Sequence, residues 1–268
     1  MPRVWRDLQP GTFATARQLH GTSGHRSLRI RQHRSAPSHV APLSGEQPAS
    51  RARDHLSCAR EILSVVGFYE RAILPRLIHA GMRQERFLPY RQRLVSEAEG
   101  RVLEVGFGSG LNVPLYAAST SLIGLEPSPR ALSMARLPAS QATYPVTLLE
   151  GSGEDIPLGS QSVDTVVVAW TLCSIPDVMR ALQEMRRVLR PSGRLLFVEH
   201  GRSRDVRVAR WQDRLTPLWK TFTGGCHLNR PVDRLLEGSG FRIERMHAEY
   251  MAGPRPMTFM YEGCARPT

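Results

Sequence analysis

No stretch of 18 or more apolar residues occurs in the 268-residue sequence, so a membrane-spanning helix is not expected. Cysteine is scarce. Cys58, Cys173, Cys226 and Cys264 are too few and too scattered for a disulfide scaffold, and no C-x-x-C pair suggests a zinc site. That usage points to a reducing, cytoplasmic setting and to no metal centre. Lysine is nearly absent: Lys220 is the single one among 36 basic residues. Such a bias fits a GC-rich genome as well as a selected arginine surface, which makes the formal charge of +12 weak evidence for a polyanionic partner. What is there is ordinary: 41% hydrophobic and 22% charged residues exclude a wholly disordered or collagen-like chain.

The basic excess is uneven. Residues 1–60 carry ten arginines against three acids, whereas the remainder carries 26 basic and 21 acidic residues. Apolar residues in the front segment follow no sustained period, so residues 1–58 are expected to be an Arg-rich disordered tail. An organellar transit peptide shares that composition but wants an amphipathic helix, which is missing. A dispensable tail, or a start codon assigned too far upstream, is the plainer reading.

From residue 59 the pattern changes. Residues 59–98 read as a helical cap, interrupted at Pro75. Their basic, apolar character also suits peripheral membrane contact, although helices packed on a sheet are the simpler expectation. A core follows over 99–200. Strand-like runs at 101–105, 121–126, 146–150, 163–169 and 194–200 alternate with helical patterns at 111–118, 128–137 and 177–190. Pro191-Ser192-Gly193 ends the last helix. Strands that are apolar on both faces and alternate with helices predict an α/β fold: a Rossmann-like, doubly wound, mostly parallel sheet in three α/β/α layers. Residues 240–250 and 256–264 are candidates for a terminal antiparallel pair at its edge, within an acceptor-side region spanning 201–268.

Directly after the first core strand stands Glu104-Val105-Gly106-Phe107-Gly108-Ser109-Gly110. A glycine-rich turn from strand to helix lets backbone approach a ligand and aims N–H groups at its anionic part. The spacing is G-x-G-x-G, because Leu111 stands where a dinucleotide fingerprint needs glycine at the next position but one. Glu126 ends the second strand, and a carboxylate there can accept hydrogen bonds from both ribose hydroxyls of an adenosine. The alternative is a turn that merely packs helix on strand beside an exposed strand-end acid.

The segments VLEVGFGSG, LIGLEPS, EGSGEDIPL, SVDTVVVAWTLCSI and ALQEMRRVLRPSGRLLFVEH, in that order, resemble the class I S-adenosylmethionine-dependent methyltransferases, over about residues 99–200. The branch acting on quinones, lipids and other small molecules is the most similar. Trp211-Gln212, Trp219-Lys220 and Gly224-Gly225-Cys226-His227-Leu228-Asn229-Arg230 resemble the thiol S-methyltransferases and bacterial phospholipid methyltransferases. The resemblance implies S-adenosyl-L-methionine as cofactor and a small-molecule methyl acceptor: a thiol, a lipid headgroup or a quinone-like ring. It implies that Gly106, Gly108 and Gly110 line the methionine and ribose part, that Glu104 faces the amino group and that Glu126 holds the ribose. Ser152, Gly153 and Glu154 would lie at the adenine; many relatives have Asp where Ser152 stands, which leaves backbone contacts there. Ala169, Trp170 and Thr171 would lie beside the sulfonium.

In methyl transfer the cofactor carries the activated group, and the protein aligns an acceptor and assists its proton loss. His200, at the carboxyl end of the last parallel strand, is the candidate base; a structural strand-end histidine is the competing reading. Glu199 beside it either orients the imidazole or faces the core, since strand neighbours point to opposite sides. Cys173 reads as a buried structural thiol. Cys226 and His227 look metal-like but have no spaced partners, and they read instead as a loop over the acceptor, with Trp211 and Trp219 as apolar walls or as the core of a helical lid. Three other functions compete. A nicotinamide dehydrogenase lacks its third glycine. A nucleic-acid methyltransferase or RNA-binding protein would use the basic front segment, but the chain lacks an Asn/Asp-Pro-Pro-aromatic tetrad after the fourth strand, and no nucleic acid is expected. A catalytically silent scaffold would keep the fold without binding the cofactor.

Overall fold

The computed structural model describes residues 69–118 and 120–268. The Arg-rich front segment, Cys58 and the first residues of the expected cap lie outside them.

Seven strands form one sheet: β1 (Arg101–Val105), β2 (Ser121–Glu126), β3 (Val146–Glu150), β4 (Val163–Ala169), β5 (Leu189–His200), β6 (Phe241–Tyr250) and β7 (Phe259–Pro267), in the order β3-β2-β1-β4-β5-β7-β6. β1 to β5 run parallel, and β7 inserts antiparallel between β5 and the edge strand β6. The helices are α1 (Leu74–Met82), α2 (Leu88–Ser96), α3 (Pro129–Gln141), α4 (Val178–Val188), α5 (Val206–Phe222) and α6 (Val232–Gly238). Alternate residues of each strand feed opposite faces. Leu103, Val105, Val166 and Val168 pack with Ala181, Leu182, Met185 and Val188 of α4 and Leu236 of α6. Val102, Leu122, Val167, Leu196 and Val198 pack with Leu94 and Val95 of α2 and Ala135 of α3. Two apolar cores on either side of a parallel sheet are the expected three-layer α/β/α arrangement.

Two expected elements differ. The helix expected over 111–118 is only a 3-10 turn, Val113–Leu115. Pro114 has no N–H to donate, and Asn112 and Tyr116 are turned back to a buried acid beneath the turn. Strand β5 begins at Leu189, ahead of Pro191, where 194 was expected. Pairing with β4 shifts register between Val163 and Thr165, and that irregularity accommodates a residue that cannot join the ladder.

Candidate functional site

The glycine turn leaves β1 at its carboxyl edge. Gly106, Gly108 and Gly110 all have positive φ, at 73°, 58° and 77°. Only one of them faces open space. A Cβ on Gly106 would overlap the side chain of Thr171, and one on Gly110 would press on Pro138 of α3 at 3.1 Å. A Cβ on Gly108 would find nothing nearer than the Gly106 carbonyl at 4.0 Å. Gly106 and Gly110 are therefore bare for packing, whereas Gly108 is bare toward open space.

Glu126 closes one side of that opening. It is buried, and its carboxylate accepts the Gly108 N–H at 2.9 Å and the Ser128 N–H at 3.0 Å. Burial raises its pKa, and the two N–H donors offset part of that rise. Glu104 lies beneath the turn, buried, accepting from Asn112 at 2.8 Å and from the Tyr116 hydroxyl at 2.7 Å. Burial pushes its pKa up to about 7, against the pull of Tyr116, Asn112 and the Arg91 guanidinium. Arg91 donates to the same Asn112 at 2.7 Å, which links α2 to the turn. His79 of α1 meets Ser109 at 2.5 Å. Sequence reading gave none of these supporting contacts, because they join positions with no shared period.

After β3, the Glu154 carboxylate is already engaged. It accepts the Asp177 N–H at 2.6 Å and the Ser152 hydroxyl at 3.1 Å. A Cβ on Gly153 would crowd Val105 at 2.9 Å. This segment ties β3 to the start of α4.

At the end of β4, Ala169 pairs with Val198, and Trp170 just past it sits at φ 53°, a conformation uncommon for a bulky residue. Its ring meets Phe87 and Tyr90 edge-on, with Arg91 5.0 Å over its face. Glu199 is fully buried and holds the next three backbone N–H groups: Thr171 at 2.7 Å, Leu172 at 2.9 Å and Cys173 at 3.4 Å. Burial lifts its pKa to about 7 despite those donors. Glu199 therefore shapes the loop beside the glycine turn.

The GGCHLNR segment clasps the same loop. Gly225 has φ 86°, and a Cβ added there would come within 3.3 Å of the Ser174 carbonyl oxygen. His227 donates its N–H to the Cys173 carbonyl at 2.8 Å, and Arg230 donates to the Leu172 carbonyl. Cys226 is thereby set 3.5 Å from the Cys173 sulfur and 3.8 Å from His200 Nδ1. Spacing rules miss this cluster: its members come from a loop, a strand end and a segment 53 residues away in sequence from Cys173. Its histidine is His200 and not the adjacent His227. The hydrogen-bonded pairing of the two sulfurs lowers the Cys226 pKa and, together with burial, raises that of Cys173. Burial opposes charge on His200, but Cys226 and Glu199 outweigh it and raise its pKa. Trp219 stands by Cys226, short of hydrogen-bonding geometry yet near enough to favour negative charge on that sulfur. Trp211 does not fill a core. It is 54% exposed on the outer side of α5, beneath Arg214.

Comparison with known proteins adds the following. A family model for a methyltransferase domain matches residues 103–197. The chain is 32% identical over 173 residues to a thiol S-methyltransferase of Homo sapiens, covering 62% of this chain and 69% of that protein. It is 33% identical over 108 residues to a phosphatidylethanolamine N-methyltransferase of Cereibacter sphaeroides, covering 40% of this chain and 53% of that protein. Among solved structures, an SAM-dependent methyltransferase from Thermotoga maritima, named as a possible histamine N-methyltransferase, shares the fold with a TM-score of 0.54 at 23% identity, covering 74% of this chain and 99% of that one.

Proposed function

The chain belongs to the class I S-adenosylmethionine-dependent methyltransferases, and on that premise we propose that it methylates a small-molecule thiol in the cytoplasm. The observation that carries the cofactor side is the bare face of Gly108 beside Glu126, a cradle that any side chain at 108 would fill. Gly108 and the neighbouring backbone would line the methionine and ribose portion, Glu126 would take the ribose hydroxyls, and Glu104 would face the amino group. Ser152, Gly153 and Glu154 would border the adenine through backbone, and Ala169, Trp170 and Thr171 the sulfonium. When bound, the cofactor supplies a methyl group already activated for transfer. The chain's own task is to align an acceptor and exclude water, and such alignment contributes up to ~7–11 kcal/mol to lowering a barrier.

A thiol is favoured over a lipid headgroup or a quinone because two relatives that bear the thiol name are 30% and 32% identical over 67% and 69% of their length, whereas the phosphatidylethanolamine match spans 53%. The deciding experiment is a screen with methyl-labelled S-adenosylmethionine against alkyl thiols, phosphatidylethanolamine and quinols. Labelled thioether is expected; label in the lipid or quinol alone would overturn the thiol assignment.

Glu126→Ala is expected to weaken S-adenosylhomocysteine binding by about 1–3 kcal/mol, the loss of buried hydrogen bonds to a charged acceptor. Calorimetry reading wild-type affinity would remove Glu126 from the ribose. Glu104 adds a pH signature. Its carboxyl ionises at about 7, and only the ionised form attracts an ammonium group. Affinity for S-adenosylhomocysteine should therefore climb as pH rises toward about 7. It should decline again only in the alkaline range where the ligand's own ammonium group loses its proton. Below neutrality, binding should release protons, seen as a dependence of calorimetric heat on buffer ionisation enthalpy. Glu104→Gln should flatten the acid limb; an unchanged limb would refute the pairing.

A further inference from the structure

We propose that Cys173, Cys226 and His200 are three protein ligands for a thiophilic cation, Zn2+, and that its fourth position receives the acceptor sulfur. Among the described residues this is the group whose ligand atoms converge, all lying within 4.8 Å of one another. A tetrahedral zinc, with bonds of about 2.3 Å to sulfur and 2.0–2.1 Å to nitrogen, holds its ligand atoms roughly 3.6–3.8 Å apart. The Cys173–Cys226 edge is 3.5 Å and the Cys226–His200 Nδ1 edge 3.8 Å. A sulfur–sulfur hydrogen bond accounts for the first edge alone. It does not account for a buried imidazole brought to the same sulfur through Nδ1, with Nε2 left without a hydrogen-bond partner among the described residues. Nε2 lies across the ring from Nδ1 and does not face the sulfurs, so the site rests on the convergence of Nδ1 with the two thiols.

Charge is consistent with the assignment. Two thiolates cancel a divalent cation, neutral imidazole adds nothing, and the Arg230 guanidinium has Glu199 as a nearby opposite charge. The ligands also rest on rigid supports. Glu199 fixes the Cys173 loop through three N–H groups, the Gly225–His227 segment is hydrogen-bonded to it, and His200 ends a strand paired on both sides. Three ligands with a vacancy describe a catalytic zinc site, whereas a structural one is closed by four. The cluster lies just past Thr171, whose side chain packs over Gly106 of the glycine turn.

The role follows for the thiol acceptor of the function proposed above, and rests on it. A thiol entering the open position would release its proton to solvent and ligate as thiolate. The thiolate sulfur then forms the new bond to the methyl carbon as the carbon–sulfonium bond breaks, and the bonding pair stays on the departing sulfur. Thiol and sulfonium donor become two thioethers and one proton. His200 acts here as a ligand, in place of the base suggested by its strand-end position.

The test uses the reduced full-length chain. Titration with Zn2+ and elemental analysis are expected to give roughly one metal per chain, and Co2+ in its place should show thiolate-to-metal charge-transfer absorption. Cys226→Ser should lower metal affinity tenfold or more, while Cys264→Ser, in a buried thiol outside the cluster, should not. S-adenosylhomocysteine binding is measured on each variant in parallel. Retained binding certifies the fold of Cys226→Ser and separates the two proposals, because loss of the metal reading leaves the donor site intact. If Cys226→Ser fails to fold, the cobalt spectrum of the wild type decides alone. No metal uptake, absence of the charge-transfer band, or a Cys173–Cys226 disulfide that binds no metal after reduction each overturns the site.

Discussion

Gly108→Val is expected to abolish detectable S-adenosylhomocysteine binding while leaving a folded chain. The new Cβ meets no close protein atom, since the nearest heavy atom to it is a carbonyl oxygen at 4.0 Å. Its cost to the fold is the strain of an L-residue at φ 58°, about 1–2 kcal/mol. For a domain of this size that lowers the melting temperature by roughly 2–8 °C. A ligand seated against the bare backbone has no such latitude, because the branched carbon occupies the space it needs. Gly106→Ala provides the contrast. Its Cβ would overlap Thr171, so the fold and the loop after β4 should suffer before binding is measured. Calorimetry with thermal melts on both variants separates the two glycines. Gly108→Val with wild-type affinity would falsify the cradle.

That contrast marks where sequence stops being informative. Alternating apolar runs, a glycine turn between them and an acid at the second strand end are local patterns, and each reports a local necessity: burial on two faces, close backbone approach, a carboxylate at the sheet's carboxyl edge. Which glycine is bare for which reason is not local. It depends on Thr171 and Pro138, whose positions follow from packing. The missing helix after the turn has the same origin. Residues 111–118 carry an acceptable apolar pattern, but Asn112 and Tyr116 are worth more as partners of buried Glu104 than as members of a helix interrupted by Pro114. Trp211 and Trp219 read alike as apolar residues near the chain's end, yet one faces water and the other lies by Cys226, because α5 has an inner and an outer side. The Cys173, Cys226 and His200 cluster is the extreme case. Nothing in residue spacing announces it; the fold alone brings those three atoms together.

Glu199→Ala is expected to be the most destabilising single change near the site, at roughly 3–5 kcal/mol, the range for stripping one partner from a buried charged network. The reason is a count of donors. Thr171 and Leu172 share one carboxylate oxygen and Cys173 uses the other, so truncation strands three N–H groups in a region from which solvent is excluded. Gln in place of Glu199 keeps the shape and one acceptor, but turns an amide N–H₂ toward the Cys173 N–H. It should therefore lose less stability than Ala while still disturbing the position of the Cys173 sulfur. Chemical denaturation of the three proteins gives the order wild type, Gln, Ala. A stability for the Ala variant within about 0.5 kcal/mol of wild type, the range of an ordinary surface change, would show that the loop does not depend on Glu199. The second readout is thiol chemistry. If the loop holds Cys173 against Cys226, releasing it should speed the reaction of both thiols with an alkylating reagent in the folded Gln variant, whereas Cys264, on β7 and outside the cluster, keeps its rate.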